Sequence, residues 1–175
     1  MMLEDSTPLS LVDRFRVSMR ATAASVALVT SSDAEGGFHG MAATSWVSIS
    51  MDPPSMLVTV NRSASVHAVI STSGRYCVNL LRDSHFDILE RFSRSDMRHL
   101  RFDAENWRRS TSGLPVLCDA MASQLCTVVA SVDHGTHTIF VGRIDDVILP
   151  EAAGQISPLI WTNGSRASLA NPSTM

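Results

Sequence analysis

The chain has 175 residues, 45% of them hydrophobic and 18% charged, with a net charge of −3. That length suits one domain with a single sizeable core, and without a basic excess neither nucleic acid nor an anionic membrane surface is an expected partner. No apolar run is long enough to span a bilayer, and residues 1–5 carry neither the basic start nor the apolar stretch of a secretory leader, so the cytoplasm is the expected location.

Leu11, Phe15 and Met19 recur at helical spacing with Asp13, Arg14 and Arg16 between them, which predicts an amphipathic helix over residues 9–23. Residues 25–30 read as a strand, and Asp33-Ala34-Glu35-Gly36-Gly37 supplies the turn into a second strand over residues 41–51. In that strand Val47, Ile49 and Met51 stand two apart and are expected to face the core. Pro53-Pro54 ends it, and residues 56–60 form the next strand with Met56, Val58 and Val60 on one face. Ser63 or Ser65 is expected to cap a short helix running to about Thr72 and closed by Gly74. A strand over residues 75–81 follows. Ser84-His85-Phe86-Asp87 then resembles a capping box ahead of an apolar stripe of Phe86, Leu89 and Phe92.

Residues 93–113 are irregular around Trp107 and are expected to form a surface flap or a dimer contact. Strands are expected over residues 121–132 and 137–149, joined by Asp133-His134-Gly135-Thr136, with a short one at 159–161. One domain thus covers the chain, with its core over residues 9–166 and a tail over 167–175. Short strands at hairpin spacing predict a mostly β fold with peripheral helices, an antiparallel barrel or sandwich. No G-x-G-x-x-G or phosphate-binding P-loop occurs, so a Rossmann sheet is disfavoured.

Cys77, Cys118 and Cys126 include no C-x-x-C pair, and Cys77 and Cys126 sit in apolar runs as small core hydrophobes. The histidines show no metal-ligand spacing, so no metal site is expected. Asn61-Arg62-Ser63-Ala64-Ser65 follows a strand and opens a helix, which suits either serine capping or an anion. Thr44, Ser45 and Trp46 suit either ordinary strand surface or the edge and wall of a flat ring. His137 begins a strand directly after a turn, either as an exposed strand-end histidine or beside a nicotinamide.

Taken in order, five segments carry a resemblance: Phe15-Arg16-Val17-Ser18-Met19, residues 40–54 ending in Asp52-Pro53-Pro54, Asn61 to Ser65, residues 73–81, and Gly135-Thr136-His137. Together they resemble the short-chain flavin reductases, with the Gly-Thr-His form of the reductases that partner 4-hydroxyphenylacetate 3-monooxygenase. The resemblance implies an antiparallel FMN-binding split β-barrel, a homodimer. It implies an NAD(P)H:flavin oxidoreductase that uses FMN or FAD with NADH or NADPH and supplies reduced flavin to a separate monooxygenase by diffusion. By the same resemblance Ala43, Thr44, Ser45 and Trp46 border the ring and ribityl chain, Asn61, Arg62, Ser63 and Ser65 hold the phosphate end, Trp161 covers the flavin, and His137 positions the nicotinamide. The alternative functions are a flavin-binding electron carrier, or a split barrel for some other flat ligand, without fast nicotinamide turnover.

Overall fold

The computed structural model describes residues 9–150 and 157–169, so the expected tail over 167–175 lies outside the described residues beyond 169. Its centre is a seven-stranded antiparallel sheet. The strands are β2 (Ala27–Ser32), β3 (Phe38–Ala43), β4 (Trp46–Met51), β5 (Pro54–Asn61), β6 (Arg75–Leu80), β9 (Ser123–His134) and β10 (His137–Ile148), in the order β3-β2-β6-β9-β10-β5-β4. The two edge strands are therefore consecutive in the chain, joined only by Thr44 and Ser45. A flat sheet of this width would hold its edges roughly 29 Å apart at ~4.8 Å per strand. Two linking residues span at most ~10 Å. The sheet must curl until its edges approach, which is the split-barrel architecture expected from the resemblance, with no ladder between the edges.

The expected strand over residues 41–51 is thus two strands on opposite edges. The small residues at its middle let the chain leave one edge and start the other. Pro54 opens β5 at a position where β4 is the only neighbour at that end of the ladder.

Alternation along β2 divides the interior in two. Ala27 and Val29 belong to the main core with Val58, Val60, Tyr76, Val78 and Phe140. Val26 and Leu28 belong to a second cluster with Leu89, Phe92, Trp107 and Leu159. Helix α2 (Ser65–Ser73) closes the main core with Val66 and Ile70, and α3 (Phe86–Ser93) covers the other face through Ile88, Leu89 and Phe92. Gly142 lies so close to Tyr76 that an added Cβ would come within 2.3 Å of the phenol oxygen, so glycine is needed at this irregular point of β10.

Several expectations need correction. Val47, Ile49 and Met51 are not buried in the core: they are 50%, 48% and 81% exposed on edge strand β4, and a register shift between Ser48 and Ser50 pairs Val47 with Leu57 on one face and Met51 with Pro54 on the other, while Trp46 turns inward. The first helix, α1 (Leu11–Arg20), forms and is capped by Ser10, but it buries no residue. Neither Ser63 nor Ser65 caps α2; Ala64 is the cap residue, with no side-chain bond, and Gly74 ends the helix at φ +66°. Ser84 makes no capping box, because a 3-10 turn over Asp83–His85 precedes α3 and the Arg82 amide donates to His85 Nδ1 at 3.2 Å. Only the first part of the irregular segment, residues 93–100, lies mostly exposed on the surface. Trp107 is buried against Phe92 and Phe102, and it opens β7 (Trp107–Arg109), which pairs with β8 (Pro115–Leu117). The segment at 159–161 is part of a small sheet of β1 (Ala24–Ser25), β11 (Ile160–Thr162) and β12 (Ser165–Ala167).

Candidate functional site

The main core and the second cluster leave α2 and α3 on opposite faces of the sheet, with edge strand β3 between them. Two pockets flank this edge. One, about 260 Å³, is lined by Val26, Ala42, Ala43, Thr44, Leu89, Ser93 and Trp161. The other, about 210 Å³, is lined by Phe38, His39, Gly40, Ser65, Arg98, Arg101 and Phe102. Thr44 and Gly40 stand four residues apart, which in a strand is roughly 14 Å. A ligand with a flat end and an anionic end could lie along β3 and reach both.

The first pocket is mainly apolar, with Thr44 and Ser93 as its two hydroxyl-bearing residues. Thr44 and Trp161 also line an adjoining pocket with Arg16, Met19 and Arg20 of α1, so these two residues form a ridge between two concavities. Trp161 is held there by pairing with Ala24 of β1. Ser45 is fixed to β5: its carbonyl accepts from Thr59 N–H at 2.9 Å and its hydroxyl donates to the Thr59 carbonyl at 3.1 Å. Trp46 is not a wall of the pocket. Its ring packs against the main core, with Nε1 buried and without a partner.

The turn from β5 into α2 is organised by Asn61, whose Oδ1 accepts from both the amide and the hydroxyl of Ser63, each at 2.9 Å. Asn61 pairs in register with His137, the first residue of β10. Arg62 crosses to the same turn, where its amide donates to the Thr136 carbonyl at 3.0 Å and its guanidinium donates to the Gly135 carbonyl. Half-buried His137 has Nδ1 at 2.9 Å from the Thr136 hydroxyl. The structure thus brings Asn61, Arg62, Ser63 and His137 together at one end of β5, two positions beyond the Ser45 anchor at Thr59.

Arg98 and Arg101 were not singled out from the sequence, because they lie in the irregular segment where no period indicates a direction. Arg101 donates to the carbonyls of Arg91 at 2.9 Å and Phe92 at 3.1 Å, which aims it beside Gly40 and Ser65. Burial, together with the charge of Arg98, lowers its pKa from the usual guanidinium value. No carboxylate pairs with either arginine among the described residues. Two neighbouring cations without a counter-ion, next to the first residue of α2, form a donor set that fits a phosphate. Gly40 also lines this pocket, and the packing there requires glycine, since an added Cβ would come within 2.9 Å of Phe92 and 3.1 Å of Phe102. Among the described residues no cluster of histidine, cysteine or acidic side chains could hold a metal ion. The two strand thiols are structural: burial raises the pKa of Cys77, and raises that of Cys126 to about 12. Cys118 is exposed.

Comparison with known proteins bears on the chemistry of this groove. A family model described as a flavin reductase like domain matches residues 19–170. The NADH-dependent FMN reductase RutF 1 of Methylorubrum extorquens is 34% identical over 148 residues, covering 85% of this chain and 72% of its own. The reductase component of the FADH2-dependent resorcinol hydroxylase of a Rhizobium species is 30% identical over 162 residues, covering 92% and 89%. Among solved structures, flavin reductase PheA2 superposes with a TM-score of 0.79 at 30% identity over 91% of this chain and 98% of that one. BorF, the flavin reductase component of a bacterial two-component tryptophan halogenase, gives 0.80 at 26% identity over 91% and 99%.

Proposed function

Because this chain belongs to the flavin reductase-like domain family, we propose that it is an NAD(P)H-dependent flavin reductase, with NADH as the expected donor, that takes FMN or FAD and releases the reduced flavin to a separate monooxygenase. The observation that carries this reading is the pair of pockets along β3, apolar at the Thr44–Trp161 end and doubly cationic at the Arg98–Arg101 end. A bound flavin supplies an acceptor at N5 for the hydride leaving the nicotinamide C4, and a solvent proton completes its reduction.

The protein's work is orientation, which can contribute on the order of 7–11 kcal/mol when two reactants are held at near-attack distance. Arg98, Arg101 and Ser65 bind the phosphate end, together with the Asn61–Ser63 turn. Ala43, Thr44 and Ser45 border the ring, and Trp161 keeps water from one side of it. His137, its ring turned by the Thr136 hydroxyl, positions the nicotinamide; no acid or base is required of it.

The working form is a homodimer. Val47, Leu57 and Val141 are cross-strand neighbours on β4, β5 and β10, followed by Ala130 on β9, and the next outward row holds Ile139 and Val132. With Ile49 at the adjoining register shift they make an apolar face of the sheet that fits a second copy of the chain. No helix among the described residues is long and apolar enough to cross a membrane, and we place the enzyme in the cytoplasm with its nicotinamide supply.

NADH oxidation, followed by nicotinamide absorbance with and without added FMN or FAD, tests the reading. Turnover that saturates with free flavin is expected. Flavin binding without NADH consumption would instead indicate an electron carrier, and no flavin binding would reject the site.

A further inference from the structure

Thr138, the residue after His137 in β10, is only 3% exposed, yet its hydroxyl serves two partners. Thr138 and Asp133 stand opposite each other on β10 and β9, and the hydroxyl donates to Asp133 Oδ1 at 2.6 Å. On its other side the same oxygen lies 2.8 Å from Nε2 of His67 on α2. A hydroxyl has one proton, and an ionised carboxylate has none to give. The Thr138 proton is therefore committed to Asp133, so its oxygen accepts from His67 and the imidazole carries a proton on Nε2. Phe140, two positions along the same face of β10, braces the imidazole with ring centroids 5.5 Å apart.

Asp133 is met a second time from the turn between β5 and α2. Arg62 Nη1 lies 3.8 Å from its Oδ2, and the Arg62 amide and guanidinium also hold the carbonyls of Thr136 and Gly135. Both tethers thus start on the α2 side and end on the turn between β9 and β10. They differ in strength. The side chains of Arg62 and Asp133 are 50% and 65% exposed, and ion pairs this open to water contribute little. The bond from His67 is buried at its threonine end, where water does not compete for it. The turn itself is exposed and passes through Gly135 at φ +55°, so packing does not fix its place.

We infer that His67 is a positioning residue for hydride transfer: through Thr138 and Asp133 it holds the Gly135–His137 turn at a set distance from the start of α2. The inference rests on the flavin reductase reading above, in which the start of α2 takes the phosphate end of the flavin and His137 the nicotinamide. The two reacting rings must be aligned between these points, so slack between them is felt as lost alignment. His67 acts through its neighbours and exchanges no proton with either substrate.

Steady-state NADH oxidation with free flavin, a flavin titration and a thermal melt of each variant test the inference. His67→Phe keeps a ring against Phe140 but has no donor, whereas His67→Gln places an amide N–H near the position of Nε2. His67→Phe is expected to raise the KM for NADH about fivefold and leave the flavin dissociation constant within about twofold, and His67→Gln to restore the KM. Thr138→Val and Thr138→Ser repeat the contrast from the other partner, without and with a hydroxyl, and carry the test should His67→Phe fail to fold. A purely structural role would lower the melting temperature or kcat and leave KM alone. That outcome overturns the inference, as does an equal KM in the two members of each pair. A wild type that does not oxidise NADH in the presence of flavin instead overturns the reductase reading, and the inference with it.

Discussion

His137 is the residue on which the choice between reductase and carrier turns. It stands opposite Asn61 in the ladder, and its ring orientation is set by one hydroxyl, that of Thr136. Loss of a single polar contact to the nicotinamide costs about 1–1.5 kcal/mol, close to a tenfold effect. His137→Ala is therefore expected to raise the KM for NADH about tenfold and leave the flavin dissociation constant within about twofold, as read from steady-state kinetics and a flavin titration. Unchanged KM would remove His137 from the nicotinamide side. At this scale the sequence was informative where motif order mattered: Asn61, Arg62 and His137, far apart in the chain, do converge. It was silent on Arg98 and Arg101, since an irregular segment has no periodicity from which to read a direction. It also did not show that the Trp46 ring packs against the main core, because a tryptophan beside a candidate site and one packed on a core look alike in one dimension.

The same limit operates on whole elements. Period-two alternation in Val47, Ile49 and Met51 suggests one core-facing side, but a register shift between Ser48 and Ser50 turns Met51 to the face opposite Val47, and alternation does not say what covers either face. The core was the expected cover, and an exposed edge strand is the observed place. Nor could alternation reveal that one apparent strand was two, since Thr44 and Ser45 are compatible with either. Hairpins and the α2 boundary at Gly74 were legible because turn residues act locally. The exposed β4 face makes its own prediction. Sedimentation of the wild type is expected to give a dimer, and Ile49→Asp, changing a side chain that is 48% exposed in the single chain, a folded monomer. A wild-type monomer at all concentrations, or an Ile49→Asp dimer, would exclude this face as the interface.

For the molecule as a whole, the response to acid depends on a histidine outside the groove. His85 is 6% exposed, and burial pushes its pKa below the usual imidazole value, against the opposing pull of Asp119 and Asp87 and with some help from Arg82. The native state therefore binds fewer protons than the unfolded chain once the pH drops below about 6.5, and stability falls from there toward the native pKa. Above that pH the contribution is complete. The carboxylates held low, Asp33 by His39 and Gly37 and Asp83 by Arg166, lose their contributions only as pH falls below about 3.9, so the two windows separate. Melting temperature is expected to hold from neutral pH to about 6.5 and then decline, and His85→Gln to flatten the upper part of that decline. An identical profile for the variant would mean that another group titrates.

The pairing of Asn61 with His137 also has a consequence for biosynthesis. Strand β5 acquires β4 as soon as both are made, but its other edge, which carries the register of Met56, Val58 and Val60, waits for β10. On a ribosome that edge stays open until 76 further residues have been added, from 61 to 137. An open strand edge of this kind invites pairing with foreign chains. Asn61 and His137 of the candidate site lie on either side of this late pairing, so a chain interrupted before β10 would lack His137 and Trp161. Ligand binding would then distinguish finished molecules from truncated ones.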